Sequence, residues 1–68
     1  EIKAPMPGLV ISVLKNVGDT VKEGENVIIL EAMKMENVIK SPIEGVIKSV
    51  AVSPSNTVEK NQILVLFE

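Results

Sequence analysis

EAMKMEN, residues Glu31 to Asn37, is the stretch on which the reading of this chain turns. Every residue in it except the last is a good helix former. The runs on either side, NVIIL before and NVIKS after, are dominated by Val and Ile and read as strands. Two methionines bracket a single lysine where a hairpin between such strands ordinarily carries a pair such as Asn-Gly. A conflict of this kind between local preference and surrounding pattern marks a candidate functional site.

Working outward, the chain repeats itself around that stretch. With each residue n set beside n+37, Ile2-Lys3 falls on Ile39-Lys40, Pro5 on Pro42 and Gly8 on Gly45. Ser12-Val13 falls on Ser49-Val50, Thr20-Val21 on Thr57-Val58 and Glu31 on Glu68, without a gap. The halves are therefore residues 1–31 and 38–68. Residues 32–37 are the joint, with Lys34 near its centre.

Each half reads alike. A short Ile-Lys strand enters a Pro-containing turn, APMPG or SPIEG, and a longer strand follows, LVISVLK or VIKSVAV. A turn, VGD or PSN, leads to a Thr-Val strand, and a second turn, KEGE or EKNQ, leads to a final apolar strand. Gly18, Gly24 and Gly45 are expected at left-handed turn positions, with Asn61 standing in for Gly24 in the second half. Short connections predict antiparallel neighbours. The expectation is an all-β domain of about eight strands and no helix, EAMKMEN included. It is a flattened barrel or sandwich of two antiparallel four-stranded sheets, in which two pseudo-twofold halves bury their apolar faces against each other. Val10, Val13, Val21, Ile28, Leu30, Ile47, Val50, Val58, Val65 and Phe67 are the expected core. The joint becomes a hairpin that protrudes.

Composition excludes much. Sixty-eight residues suffice for one small domain. With no Cys and no His, disulfides, thiolate metal sites and nucleophile–imidazole triads have nothing to work with. Phe67 is the sole aromatic and the net charge is −2, which argues against a nucleic-acid partner. No apolar run approaches a transmembrane span and no signal peptide opens the chain. The lack of Cys fits an intracellular compartment. A start without Met, in what reads as a strand, is expected of a piece of a longer polypeptide, and the finish at ILVLFE suits a terminal strand.

Lys34 alone reads as a solvated turn lysine, Met33 and Met35 alone as core gap-fillers, and Glu31 and Glu36 alone as solubilising charges. Strand alternation would send both methionines to one face and Lys34 to the other. Together, at the midpoint of a duplicated β unit, they carry a resemblance. Ala32-Met33-Lys34-Met35 resembles the biotin attachment motif of biotinyl (biotin carboxyl carrier) domains. APMPG (4–8), VGDTVKEG (17–24) and SPIEGVI (41–47) also look like that family, so the resemblance covers essentially the whole chain. The chain departs from it at Ser55-Asn56, where such domains often carry Gly-Asp, and at Asn61, where they often carry Gly. No thumb-like insertion breaks the first half, which resembles carriers of pyruvate and acyl-CoA carboxylases or of decarboxylases and transcarboxylases.

The resemblance implies biotin as a covalent cofactor on Lys34, with Glu31, Ala32, Met33, Met35 and Glu36 as the recognition motif. It implies a biotin protein ligase that supplies an activated biotin and the base which Lys34 lacks. It implies partner biotin carboxylase and carboxyltransferase (or decarboxylase) sites, between which a carboxyl group is shuttled. It implies, too, a domain that is not itself catalytic, is monomeric when isolated, and is cytoplasmic, or in the mitochondrial matrix if eukaryotic. Two alternatives share the fold. A lipoyl carrier usually has Asp before and often Ala after its lysine, unlike Lys34. An unmodified structural module would leave the motif idle.

Overall fold

Seven short links, five of them containing Pro or Gly, divide the chain into eight strands and leave no helix. The computed structural model describes all 68 residues. The strands are β1 (Ile2–Lys3), β2 (Gly8–Val13), β3 (Thr20–Val21), β4 (Asn26–Ala32), β5 (Met35–Lys40), β6 (Gly45–Val50), β7 (Thr57–Val58) and β8 (Ile63–Phe67). They form two four-stranded sheets, ordered β1-β8-β6-β3 and β5-β4-β2-β7, and every pairing is antiparallel. Shifting each strand by 37 residues converts one order into the other.

Two expectations are corrected. The halves do not meet as blocks, since each sheet takes two strands from each half. Nor do most strands pair with their neighbours in sequence; only β4 and β5 do. The links 4–7 and 41–44 are short, but each contains proline, which has no N–H for a ladder and a fixed φ. Each link carries the chain from one sheet to the other instead of folding it back. The two halves are thereby interlaced, and neither has a sheet of its own.

The symmetry extends to irregularities. The register slips by one residue at Val27 in β4 and Leu64 in β8, and at Ile11 in β2 and Lys48 in β6. These are β-bulges at repeat-equivalent positions. The first pair alters the core. Strict alternation buries Ile28 and Leu30, with their mates Val65 and Phe67, and turns Val27 and Leu64 outward. The bulge instead buries Val27 beside Ile28 and Leu64 beside Val65, all completely. Val10, Val21, Ile47 and Val58 are buried as expected, whereas Val13, Val50 and Phe67 are half-buried against the core. Ile2, Ala4, Ile39 and Val52 complete the core cluster.

The corners repeat too. Gly18 (φ 91°) matches Ser55 (φ 76°), and Gly24 (φ 84°) matches Asn61 (φ 69°). Loss of glycine at Ser55 and Asn61 has therefore not changed the left-handed geometry. Gly45 is not left-handed; it opens β6, where a Cβ would come within 3.4 Å of the Phe67 ring. Finally, Ile2 lies opposite Val65 as Ile39 lies opposite Ile28.

Candidate modification site at the β4–β5 turn

Ala32 pairs with Met35, which leaves Met33 and Lys34 as the two central residues of the hairpin turn. Both have positive φ, 54° and 65°. This is the backbone signature of a type I′ turn, whose twist matches that of the flanking strands. An L-residue other than glycine costs about 1–2 kcal/mol in this conformation. The tip carries two. The strand alternation expected across Met33 and Lys34 does not apply, because neither residue is in a strand.

The tip stands clear of the core. Met33 is 87% exposed and Met35 66%, and Lys34 is exposed between them. The Lys34 Nζ makes no hydrogen bond and no ion pair; the two ion pairs are Lys3–Glu1 and Lys15–Glu25. Glu31 and Glu36 face each other across the stem, both exposed. Like charges directly opposite weaken a sheet, so this pair is not there for stability. Asn37 Nδ2 donates a 3.3 Å hydrogen bond to the Met35 carbonyl and steadies the return strand.

Below the tip the packing is tight. Ala32 is 5% exposed. A Cβ on Gly8 would lie 2.5 Å from the Glu31 carbonyl oxygen, 3.1 Å from Leu30 Cγ and 3.2 Å from Ala32 Cβ. The β2 backbone therefore runs directly against the hairpin base, which needs glycine on one side and a small residue on the other. Ala32 thus has a packing role in addition to its place in the motif. The sequence alone places Gly8 only in the APMPG turn and carries no separate sign of this close backbone approach.

The surface has no ligand-sized pocket, and no cluster of acidic residues could hold a metal ion. What the site offers is one unpartnered primary amine on a left-handed, strained corner. A family model described as "Biotin-requiring enzyme", covering biotinyl and lipoyl domains, matches residues 1–67.

The chain belongs to this biotinyl–lipoyl family.

The chain is 48% identical over 62 residues to the biotin carboxyl carrier protein of Streptococcus mutans, covering 91% of this chain and 48% of that protein. It is 45% identical over 67 residues to the pyruvate carboxylase of Staphylococcus aureus, covering 98% of this chain and 6% of that one. The chain thus spans half or less of these relatives. Its fold superposes on the lipoyl domain of the 2-oxoglutarate dehydrogenase complex of Azotobacter vinelandii with a TM-score of 0.83 at 26% identity, covering 98% of this chain and 92% of that one. The fold alone therefore does not choose between the two prosthetic groups. The residues around the amine fit covalent attachment, since Lys34 is exposed and no acid holds it. No helix of the structure is long and apolar enough to cross a membrane.

Proposed function

We propose that this biotinyl domain is a carboxyl carrier, with biotin attached through an amide to Lys34. One observation carries the assignment to that residue. Of seven lysines, Lys34 alone has a left-handed backbone, and it sits at the tip of a two-residue turn, flanked by two exposed methionines. Lys3 and Lys15 are engaged by Glu1 and Glu25. Lys40 and Lys48 lie within strands. A biotin protein ligase can tell one amine from six others only by such geometry, because the amines are chemically alike.

In the attachment step the deprotonated Lys34 Nζ attacks the carbonyl carbon of an acyl adenylate. The C–N amide bond forms, the C–O bond to phosphate breaks, AMP leaves, and the amine proton passes to a base on the ligase. Bound biotin supplies a site that takes up and releases a carboxyl group. The chain's own contribution is presentation. The bulged, interlaced sheets fix the stem, Gly8 and Ala32 seat its base, and the left-handed corner turns the amine outward. Tethering replaces a bimolecular encounter by one at roughly millimolar effective concentration. The partners on this reading are the ligase, a biotin carboxylase site and a carboxyltransferase or decarboxylase site. The isolated domain is monomeric, in the cytoplasm or mitochondrial matrix.

A lipoyl carrier is the second reading, favoured by the fold match and opposed by methionine on both sides of the lysine. Incubation with biotin protein ligase, ATP and biotin, followed by intact mass and peptide mapping, decides between them. The expected result is one biotinyl addition, on Lys34, lost in Lys34→Arg because guanidinium stays protonated and is a poor nucleophile, and kept in Lys40→Arg. Label on another lysine, or label persisting in a folded Lys34→Arg domain, overturns the assignment. Lipoylation in place of biotinylation in a host that has both ligases overturns the choice of group.

A further inference from the structure

The chain has no Cys, His, Trp or Tyr, and its three methionines are its only readily oxidised side chains. Their distribution is uneven. Met6 is half-buried against the core cluster, on the link between β1 and β2. Met33 and Met35 are 87% and 66% exposed and flank Lys34. Neither belongs to the core cluster. The oxidisable chemistry open to solvent is thus concentrated on the two residues next to the amine that is to be acylated.

We infer that Met33 and Met35 form a redox-sensitive modification site, and that their conversion to sulfoxides slows acylation of Lys34 without unfolding the domain. The oxidant is a hydroperoxide. The thioether sulfur attacks the terminal peroxide oxygen, the O–O bond breaks, an S=O bond forms, and water (from hydrogen peroxide) or an alcohol leaves. Sulfur is oxidised by two electrons and the peroxide reduced by two. A methionine sulfoxide reductase with a dithiol reverses the change, giving thioether, water and disulfide. The physical effect follows from polarity. Thioethers give an approaching enzyme an adaptable apolar surface, and sulfoxides replace it with strong acceptor dipoles that must be desolvated on docking. The core is untouched because neither side chain is in it. The effect on acylation rests on the carrier reading; the oxidation itself does not.

The test treats the unmodified domain with graded hydrogen peroxide, then maps sulfoxides by peptide mass, follows the fold by circular dichroism, and measures the rate of biotin uptake with ligase and ATP. Met33 and Met35 should oxidise several-fold faster than Met6. The spectrum should not change while uptake falls several-fold, and reductase with dithiothreitol should restore it. A Met33→Leu/Met35→Leu domain, whatever its own starting rate, should show no peroxide-dependent fall. Oxidation of Met6 as fast as Met33 and Met35, loss of the fold on tip oxidation, unchanged uptake by the doubly oxidised domain, or an equal fall in the double-Leu variant would each overturn the inference. If the untreated domain takes no biotin on Lys34, the carrier reading fails and the coupling with it, while the order of oxidation still decides the modification site.

Discussion

Glu25 and Gln62, 37 residues apart, accept the same hydrogen bond in the two halves of the chain. Glu25 Oε1 takes the Lys22 N–H at 2.8 Å, and Gln62 Oε1 takes the Glu59 N–H at 2.9 Å. Asp19 and Asn56 repeat the relationship, accepting from the N–H of Asn16 at 2.7 Å and of Ser53 at 2.9 Å. At both corners an acid in the first half is an amide of the same shape in the second. The turn needs an acceptor oxygen and not a charge. The second Glu25 oxygen binds Lys15, whose repeat mate is the buried Val52, so the ion pair of one half has no counterpart in the other, where Val52 joins the core cluster.

The first prediction is drawn from that relationship. The hydrogen bond from Lys15, followed by that from the Lys22 N–H, holds Glu25 below its ordinary pKa of 4.5. A carboxylate with a lowered folded-state pKa contributes stability that is present above its unfolded value. That contribution is lost as pH falls through the folded value. Glu25→Gln keeps the backbone hydrogen bond, as Gln62 does, and removes this proton linkage. Urea midpoints taken across the acid range should show the variant slightly less stable at neutral pH. Its deficit should shrink as pH falls below 4.5. A constant deficit at all pH values would show that Glu25 contributes through shape alone.

The second uses the repeat as an internal control at the hinge of the site. Gly8→Ala places a Cβ 2.5 Å from the Glu31 carbonyl oxygen, whereas Gly45→Ala places one 3.4 Å from an edge of the Phe67 ring, an ordinary contact. Overpacking against backbone costs about 1–3 kcal/mol. Gly8→Ala should therefore unfold at lower urea than Gly45→Ala and should shift the backbone resonances of residues 30–32. Equal midpoints for the two variants would mean that the β4 backbone yields without cost.

Much of the fold and site is legible in the sequence, and what is not has definite causes. The ungapped repeat and its Pro and Gly punctuation located all eight strands, and the odd segment out located the exposed amine. Val27 and Leu64 escaped because a bulge breaks the period of two that pattern reading assumes. Partnering escaped because a short link containing proline can bend into a hairpin or cross between sheets, and composition alone does not say which. The left-handed corner at Met33 and Lys34 escaped because neither residue favours that conformation. Strand pairing imposes it from outside, which is the form a functional compromise takes.

The third prediction tests the revised core. Ile47 is fully buried and Val50, an expected core residue, is half-buried. Ile47→Ala should cost about 2–5 kcal/mol. For a domain of this size that is a large share of total stability. Val50→Ala should cost clearly less, as should the same change at its mate Val13. Urea denaturation of the three variants checks the order; a Val50→Ala domain as unstable as Ile47→Ala would show that half-buried Val50 carries a full share of the core.

The last prediction concerns the corner itself. Lys34 holds φ 65° without glycine's freedom, and its side chain makes no hydrogen bond, ion pair or core contact that would offset the strain. Glycine at the second central position is what a type I′ turn prefers. Lys34→Gly should therefore raise stability by about 1 kcal/mol, the strain of an L-residue in this region less glycine's greater loss of backbone freedom. It should also abolish biotin uptake, since the amine is gone. Met33→Asn should raise stability as well while leaving the amine in place, because Asn tolerates the left-handed region better than Met. The sequence thus keeps a less stable corner in exchange for an amine at its apex, a trade between stability and function. Urea midpoints of the two variants against the parent measure it. If both variants are less stable than the parent, the tip is not strained, and the presentation of Lys34 has to be explained by the stem alone.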